Sequence, residues 1–366
     1  MKIQSSCIHI YTGEVETAEV GSRSSQTNRL SHVNEMRSTL LFYQDSALST
    51  ERGSRMKVAF IGTGSMGSLL IDAFLRSGAL LPHNICASNR SPYKTKWLVQ
   101  RHPGLLVYGS NAEAAQGSKI VFLCVKPLDY PDVIAELRDV LDDKQIVVSI
   151  TSPVQIETLE EALPSKIAKI IPSVTHSVHS GASLCIYGKR VRPEDRLLLE
   201  QLMSSISKPI TLKESETRIA SDLSSCGPAF VAYMLQLWAE SAAERTGIGY
   251  DEAIVLGSEM LLGTGKLLTD GGLSPEELIE RVAVPGGVTA EGIAVLDSGL
   301  RGVFARLIET THRKYDDDIG KLHVLFHPEI PDTLPPSADI APSDSEREGP
   351  LSGVKPPDGS GATSIS

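Results

Sequence analysis

Aromatic residues are scarce in this chain of 366 residues, at 5%. Basic residues are outnumbered, with 35 Lys and Arg against 45 Asp and Glu and a formal net charge of −10. That balance argues against nucleic acid as a partner, because phosphates need clustered Lys and Arg. No apolar run approaches the ~20 residues that a membrane-spanning helix needs, so no membrane association is expected. Cysteines are few and scattered: Cys7, Cys86, Cys124, Cys185 and Cys226. They are odd in number and no two have CxxC spacing, so neither a disulfide framework nor a zinc site is suggested, which fits reduced thiols in the cytoplasm. A GxSxG nucleophile motif is missing as well. His176, His179 and His312 stand in interior-like surroundings, and none has a Cys, Asp or Glu at metal-ligand spacing. The chemistry is therefore expected to need neither a metal nor a strong protein base. What is plentiful is apolar material, 41% of the chain, enough for two domains with a sizeable core.

Both ends differ from the middle. Residues 1–55 are polar and Ser/Thr-rich, without a sustained apolar period or a signal-peptide core. Met56-Lys57 then opens directly into an apolar strand, so Met56 is expected to be the natural start, the alternative being a genuine disordered extension. Residues 327–366 hold eight prolines among Ser, Gly, Asp and Glu. Such a composition buries too little to offset its ordering entropy and reads as a disordered acidic tail.

From residue 56 to 213, short apolar runs alternate with helical stretches. Runs at 57–61, 84–87, 105–108, 120–125, 146–150, 167–171, 182–187 and 210–212 are apolar on both faces, as in a buried parallel sheet. Helices are expected over 65–76, 93–100, 112–115, 129–141 and 156–163. This βαβ alternation predicts a Rossmann-type doubly wound α/β domain. From 214 to 322 the strands stop. Helices are expected over 214–246, 250–270, 274–282, 289–297 and 300–321, with glycines such as Gly247, Gly271 and Gly299 as breaks. An all-helical second domain follows.

The most specific local signal is Ile61-Gly62-Thr63-Gly64-Ser65-Met66-Gly67, a GxGxxG that follows a strand and opens a helix. Gly62 permits the tight turn, Gly64 lets backbone approach a pyrophosphate, and Gly67 allows close helix–strand packing. The helix N-terminus offers free N–H groups to phosphate. At the end of the second strand, NAD enzymes place a carboxylate for the ribose 2′-OH. Here that place reads Ser88-Asn89-Arg90-Ser91, with Lys94 following. Arg and Lys without an acidic partner suit a 2′-phosphate, so NADP(H) is preferred over NAD(H). Two further helix starts carry glycine: Ser224-Ser225-Cys226-Gly227-Pro228-Ala229-Phe230 and Val284-Pro285-Gly286-Gly287-Val288-Thr289. Their free donors suit a small anionic substrate, although Thr289 as a plain helix N-cap would also explain the second.

In combination and order, these segments, with Asn111 and Val125-Lys126-Pro127, resemble the pyrroline-5-carboxylate reductase family over about residues 56–321. The resemblance implies an intertwined homodimer or larger homo-oligomer. It also implies NAD(P)H-dependent reduction of a small anionic imine, 1-pyrroline-5-carboxylate, to proline. Thr289 matches a family threonine that hydrogen-bonds the ring nitrogen. Backbone donors around Gly227, Gly286 and Gly287 would hold the carboxylate, within a site completed by Ser224, Cys226, Pro285 and Val288. The cofactor would lie on Ile61 to Gly67, Asn89, Arg90, Asn111, Val125, Lys126 and Pro127.

Three departures fall in or near the implied substrate site. The family usually reads Ser-Gly-Ser-Gly-Pro-Ala-Tyr where this chain has residues 224–230. It has Ser where Val284 stands, and Pro-Asn-Thr-Pro where Pro172-Ser173-Val174-Thr175 stands. In this the chain is similar to divergent late-competence paralogues of Gram-positive bacteria. Three readings stay open: a pyrroline-5-carboxylate reductase, a reductase of a related imine or 2-keto acid, and a regulatory protein that binds a dinucleotide without turnover.

Overall fold

The computed structural model describes residues 56–327; the leader, and the tail from residue 328 on, lie outside the described residues. The strands are β1 (Val58–Ile61), β2 (Ile85–Ser88), β3 (Leu106–Val107), β4 (Ile120–Leu123), β5 (Ile146–Ser149), β6 (Lys166–Ile171), β7 (Ala182–Tyr187) and β8 (Lys208–Thr211). They form one sheet in the order β3-β2-β1-β4-β5-β6-β7-β8. Helices α1 (Ser65–Arg76), α2 (Pro92–Arg101), α3 (Asn111–Ala115), α4 (Tyr130–Leu137) and α5 (Ile156–Ala162) make the crossovers between β1 and β6. β1, β2, β4, β5 and β6 are buried at every residue, as apolar-on-both-faces strands must be when helices cover both sides. Phe60 and Phe122 stack at 5.0 Å across β1 and β4, and α1 lays Leu70 and Phe74 onto that face. The opposite face packs Tyr130, Leu137 and Leu159 against Ile61 and Leu123.

The sheet departs from an all-parallel reading at its far end. β7 runs antiparallel to β6. Only residues 172–181 join them, as a 3₁₀ turn (Val174–Val178) and loop. A parallel crossover needs a dozen or more residues, so the chain turns back instead. Helix α6 (Pro193–Ser204), absent from the expected set, then carries the chain to β8 in parallel with β7. Its sequence signal is Pro193 at the first turn with Glu194 and Asp195 beside it.

Two helix boundaries also differ from expectation. The stretch 214–246 is not one helix. It resolves into a 3₁₀ turn (Glu214–Glu216), α7 (Thr217–Ser221), a π turn (Asp222–Cys226) and α8 (Gly227–Thr246). After α9 (Tyr250–Thr269) and α10 (Pro275–Val282), the pair of helices expected on either side of Gly299 is a single helix α11 (Val288–Phe326). A mid-helix glycine costs about 1 kcal/mol but keeps its N–H, so a helix of 39 residues passes through it and beyond the expected limit at 322.

Candidate functional site

The chain leaves β1 at Gly62 with φ +96, a conformation open to glycine, and a Cβ there would meet the Cys124 carbonyl oxygen at 2.7 Å. At Gly67 a Cβ would lie 2.2 Å from the Gly62 carbonyl oxygen, so α1 can approach β1 only with glycine at that point. Ile61 is buried in the sheet and Met66 packs on the core, so both support the turn from below. Above Gly64 the backbone is open, with nothing within 4 Å of a Cβ built there.

This turn floors a cleft of about 680 Å³ at the C-terminal edge of the sheet, where strand order reverses between β1 and β4. Of the residues assigned to the cofactor, Gly62, Gly64, Asn89, Arg90, Asn111, Val125 and Lys126 line the cleft. Thr63 and Ser65 border an adjoining groove with Lys94 and Trp97. Pro127 starts a short 3₁₀ turn behind the rim. The Asn89 Oδ1 accepts from the Thr63 N–H at 3.4 Å, tying the glycine turn to the end of β2. The Asn111 Oδ1 accepts from the Ser88 hydroxyl at 2.7 Å, and its Nδ2 donates to Glu136 at 2.7 Å. Arg90 is 91% exposed at the rim. A carboxylate does reach it after all, from a distant segment: Asp129, after β4, is 3.7 Å away. At that distance and exposure the pair is weak, and the guanidinium stays open to an anion.

Asp129, Asp132 and Glu136 also line the cleft, a contribution that the sequence reading missed. Their i, i+3, i+7 spacing on α4 and the turn before it is the signal that marks one helical face. Beneath them, burial pushes the Tyr130 hydroxyl up to about 12. It is neutral and donates to the Leu123 carbonyl, with Ser149 Oγ 2.9 Å away. Burial likewise pushes the Cys124 thiol up, so no thiolate forms at the floor.

The second glycine-bearing segment is not the helix start expected of it: Ser221, Asp222, Cys226 and Gly227 are all αR, so the π turn runs without a break from α7 into α8. Ser224, Cys226 and Gly227 come together here. Ser225 donates to the Pro172 carbonyl at 2.8 Å, and Ser173 donates to the Ser224 carbonyl at 3.1 Å. Two of the three departures from the family pattern therefore bond to each other, stitching the loop after β6 to the π turn.

In the third segment the Gly287 N–H donates to the Val284 carbonyl at 2.9 Å, and Gly286 has φ +74. Pro285 and Gly286 thus occupy the central positions of a type II turn. Gly287 accepts the first bonds of α11, so Val288 and Thr289 lie inside the first helical turn. Thr289 is not the N-cap. It lines an apolar groove of about 300 Å³ among α9, α10 and α11, with Thr264, Ile279 and Ile293. It is not among the residues that line the nucleotide cleft.

Known proteins align with both halves. Residues 57–153 match the family model described as NADP oxidoreductase, coenzyme F420-dependent, and residues 214–317 match pyrroline-5-carboxylate reductase dimerisation. The chain is 39% identical over 272 residues to ComE operon protein 4 of Bacillus subtilis, covering 74% of this chain and 100% of that one. It is 31% identical to the pyrroline-5-carboxylate reductase of Methanosarcina acetivorans, covering 69% and 94%. The solved pyrroline-5-carboxylate reductase of Coxiella burnetii superposes with a TM-score of 0.67 at 28% identity, over 72% and 98% of the two chains. With both domains matched and the relatives spanned nearly end to end, this chain belongs to the pyrroline-5-carboxylate reductase family.

Proposed function

We propose that this protein is an NADPH-dependent reductase of a cyclic imine carboxylate, 1-pyrroline-5-carboxylate or a close relative, with proline or its analogue as product. The observation that carries this reading is the pairing of a glycine-floored dinucleotide cleft with a Pro-Gly-Gly turn that feeds Thr289 into the first turn of α11. The cleft residues fit a nicotinamide dinucleotide: open backbone at Gly64, first-turn amides of α1, and the exposed Arg90 for a 2′-phosphate. When bound, the nicotinamide supplies the hydride. The residues of the chain hold and orient the substrate. The Gly287 N–H is already taken by the Val284 carbonyl, so the backbone around Gly286 and Gly227 is left to hold the carboxylate, and the Thr289 hydroxyl donates to the ring nitrogen. An imine nitrogen carries its own proton, so positioning and exclusion of water replace a strong general acid.

Thr289 and the cleft line different cavities in one chain. In this reading a second copy brings its Thr289 to the cofactor, which makes the homodimer the catalytic unit. Thr289→Ala is expected to lower turnover of pyrroline-5-carboxylate at least about tenfold, ~1.4 kcal/mol, with Thr289→Ser retaining most of it. NADPH oxidation by the purified protein measures both.

A second reading, a dinucleotide-binding regulator without turnover, is favoured by Val284, 58% exposed where the family has a hydroxyl. Val284→Ser separates the two. Increased turnover supports a weakened enzyme, whereas no turnover in either form leaves the regulator.

A further inference from the structure

The π turn at Asp222–Cys226 has a strut above it. The Arg218 Nη2 donates to the Asp222 Oδ1 at 2.7 Å and reaches the Cys226 Sγ at 3.3 Å. One guanidinium nitrogen thus spans the first and last residues of the turn. The other carboxylate oxygen of Asp222 accepts from the Thr311 hydroxyl of α11 at 2.6 Å. Asp222 is only 4% exposed. A carboxylate so buried depends on both partners, because losing one leaves charge uncompensated. Four residues further along α11, the Tyr315 ring lies 5.8 Å from the Arg218 guanidinium, and its hydroxyl donates to the Ser152 carbonyl at 3.1 Å. That carbonyl, in the loop after β5, also accepts from the buried Lys169, itself paired with Glu214 at 2.5 Å. α11 therefore holds the π turn and the loop after β5 together.

A π turn is a rare, locally costly insertion that persists where other contacts over-determine it, and it is frequent at functional sites. This one is held from below by Ser225 and Ser173 and from above by Asp222. We propose that Asp222, clamped between Arg218 and Thr311, is a positioning residue that sets the π turn, and through it the Cys226–Gly227 backbone, for the substrate carboxylate. Its action on substrate rests on the imine-reductase reading. The clamp would read the position of α11 directly, since Thr311 bonds Asp222 rather than the substrate.

Thr311 is the mildest point of attack, because its hydroxyl has a second acceptor in its own helix, Ile308 O at 2.9 Å. Thr311→Val is expected to raise KM for pyrroline-5-carboxylate at least about fourfold, with kcat and NADPH Kd each changing less than about twofold. Thr311→Ser should restore KM, which a merely structural loss would not require. An unchanged KM in Thr311→Val, or a KM and an NADPH Kd that rise together, overturns the proposal. If the unsubstituted protein does not reduce this imine, the functional reading fails. The clamp is then judged by the rate of iodoacetamide labelling at Cys226, followed by peptide mass spectrometry. A change of about threefold or more in Thr311→Val and Asp222→Asn, reversed in Thr311→Ser, supports it. Equal labelling rates in all four proteins overturn it.

Discussion

β1, β4 and β5 are buried at every residue, whereas α9 and α10 contain no buried residue at all. α8 buries only Ala239, and α11 only Leu322. Yet the helices carry large apolar residues: Trp238, Val255, Leu256 and Leu262 are all more than half exposed. The nucleotide half closes its own core on both faces of a sheet. The helical half presents apolar faces that the other described residues leave uncovered, and it matches a dimerisation family. One half closes a core of its own, whereas the other presents apolar surface suited to a further copy of the chain. Exposed apolar surface on this scale marks an interface.

The strongest way to break that contrast is to charge the helical face. Leu256→Glu with Leu262→Glu should abolish the oligomer, giving monomer or aggregate by light scattering while the cleft of the nucleotide half is untouched. A parent protein that runs as a sharp monomer at micromolar concentration would contradict the comparison outright. The nucleotide half is more sensitive to internal volume. Gly67→Ala places a Cβ 2.2 Å from a backbone oxygen, so we expect a loss of about 1–3 kcal/mol in stability and weakened NADPH binding. Denaturant midpoints and cofactor titration would show it, and an unperturbed cleft would mean that α1 can shift freely.

A smaller effect sharpens the role of the rim. Arg90→Ala should cost about 1–3 kcal/mol of NADPH binding with little change for NADH, read by calorimetric titration of both. Equal affinity for the two cofactors in the parent removes the basis for a 2′-phosphate site.

The smallest effect concerns acid stability. His176 is buried in the turn after β6, bonded to the Ala182 carbonyl at 3.2 Å. Burial holds its imidazole below the usual value, against the opposing pull of that carbonyl. A depressed folded value means that the unfolded chain takes up the proton first. The associated stability is present above the unfolded value, about 6.5, and is lost as pH falls through the folded one. Urea midpoints at pH 7.5 and 5.5 should therefore drop less in His176→Gln than in the parent.

Much of the nucleotide half is legible in its residues. Strands such as Val58–Ile61 and Ile120–Leu123 are apolar throughout, and the glycine pattern names the turn that they create. The reversal of β7 is not legible from periodicity, because a strand looks the same in either direction. Only the short connection from β6 carries that information. In the helical half, the π turn is hidden inside an unbroken helical pattern. It arises because Asp222 finds Arg218 on its own chain and Thr311 on a helix 89 positions later.

The local rules, period, glycine placement and the missing carboxylate at the end of β2, were enough to specify a doubly wound sheet and a cleft for a dinucleotide. They act between residues close in sequence, where geometry follows directly from backbone sterics. Long-range packing decided the rest. It brought Asp129 beside Arg90, bonded Ser173 to the π turn, and put Thr289 on a groove away from the cleft. These contacts depend on where whole elements settle, and the free energy that settles them comes from burial summed over the fold rather than from any one segment.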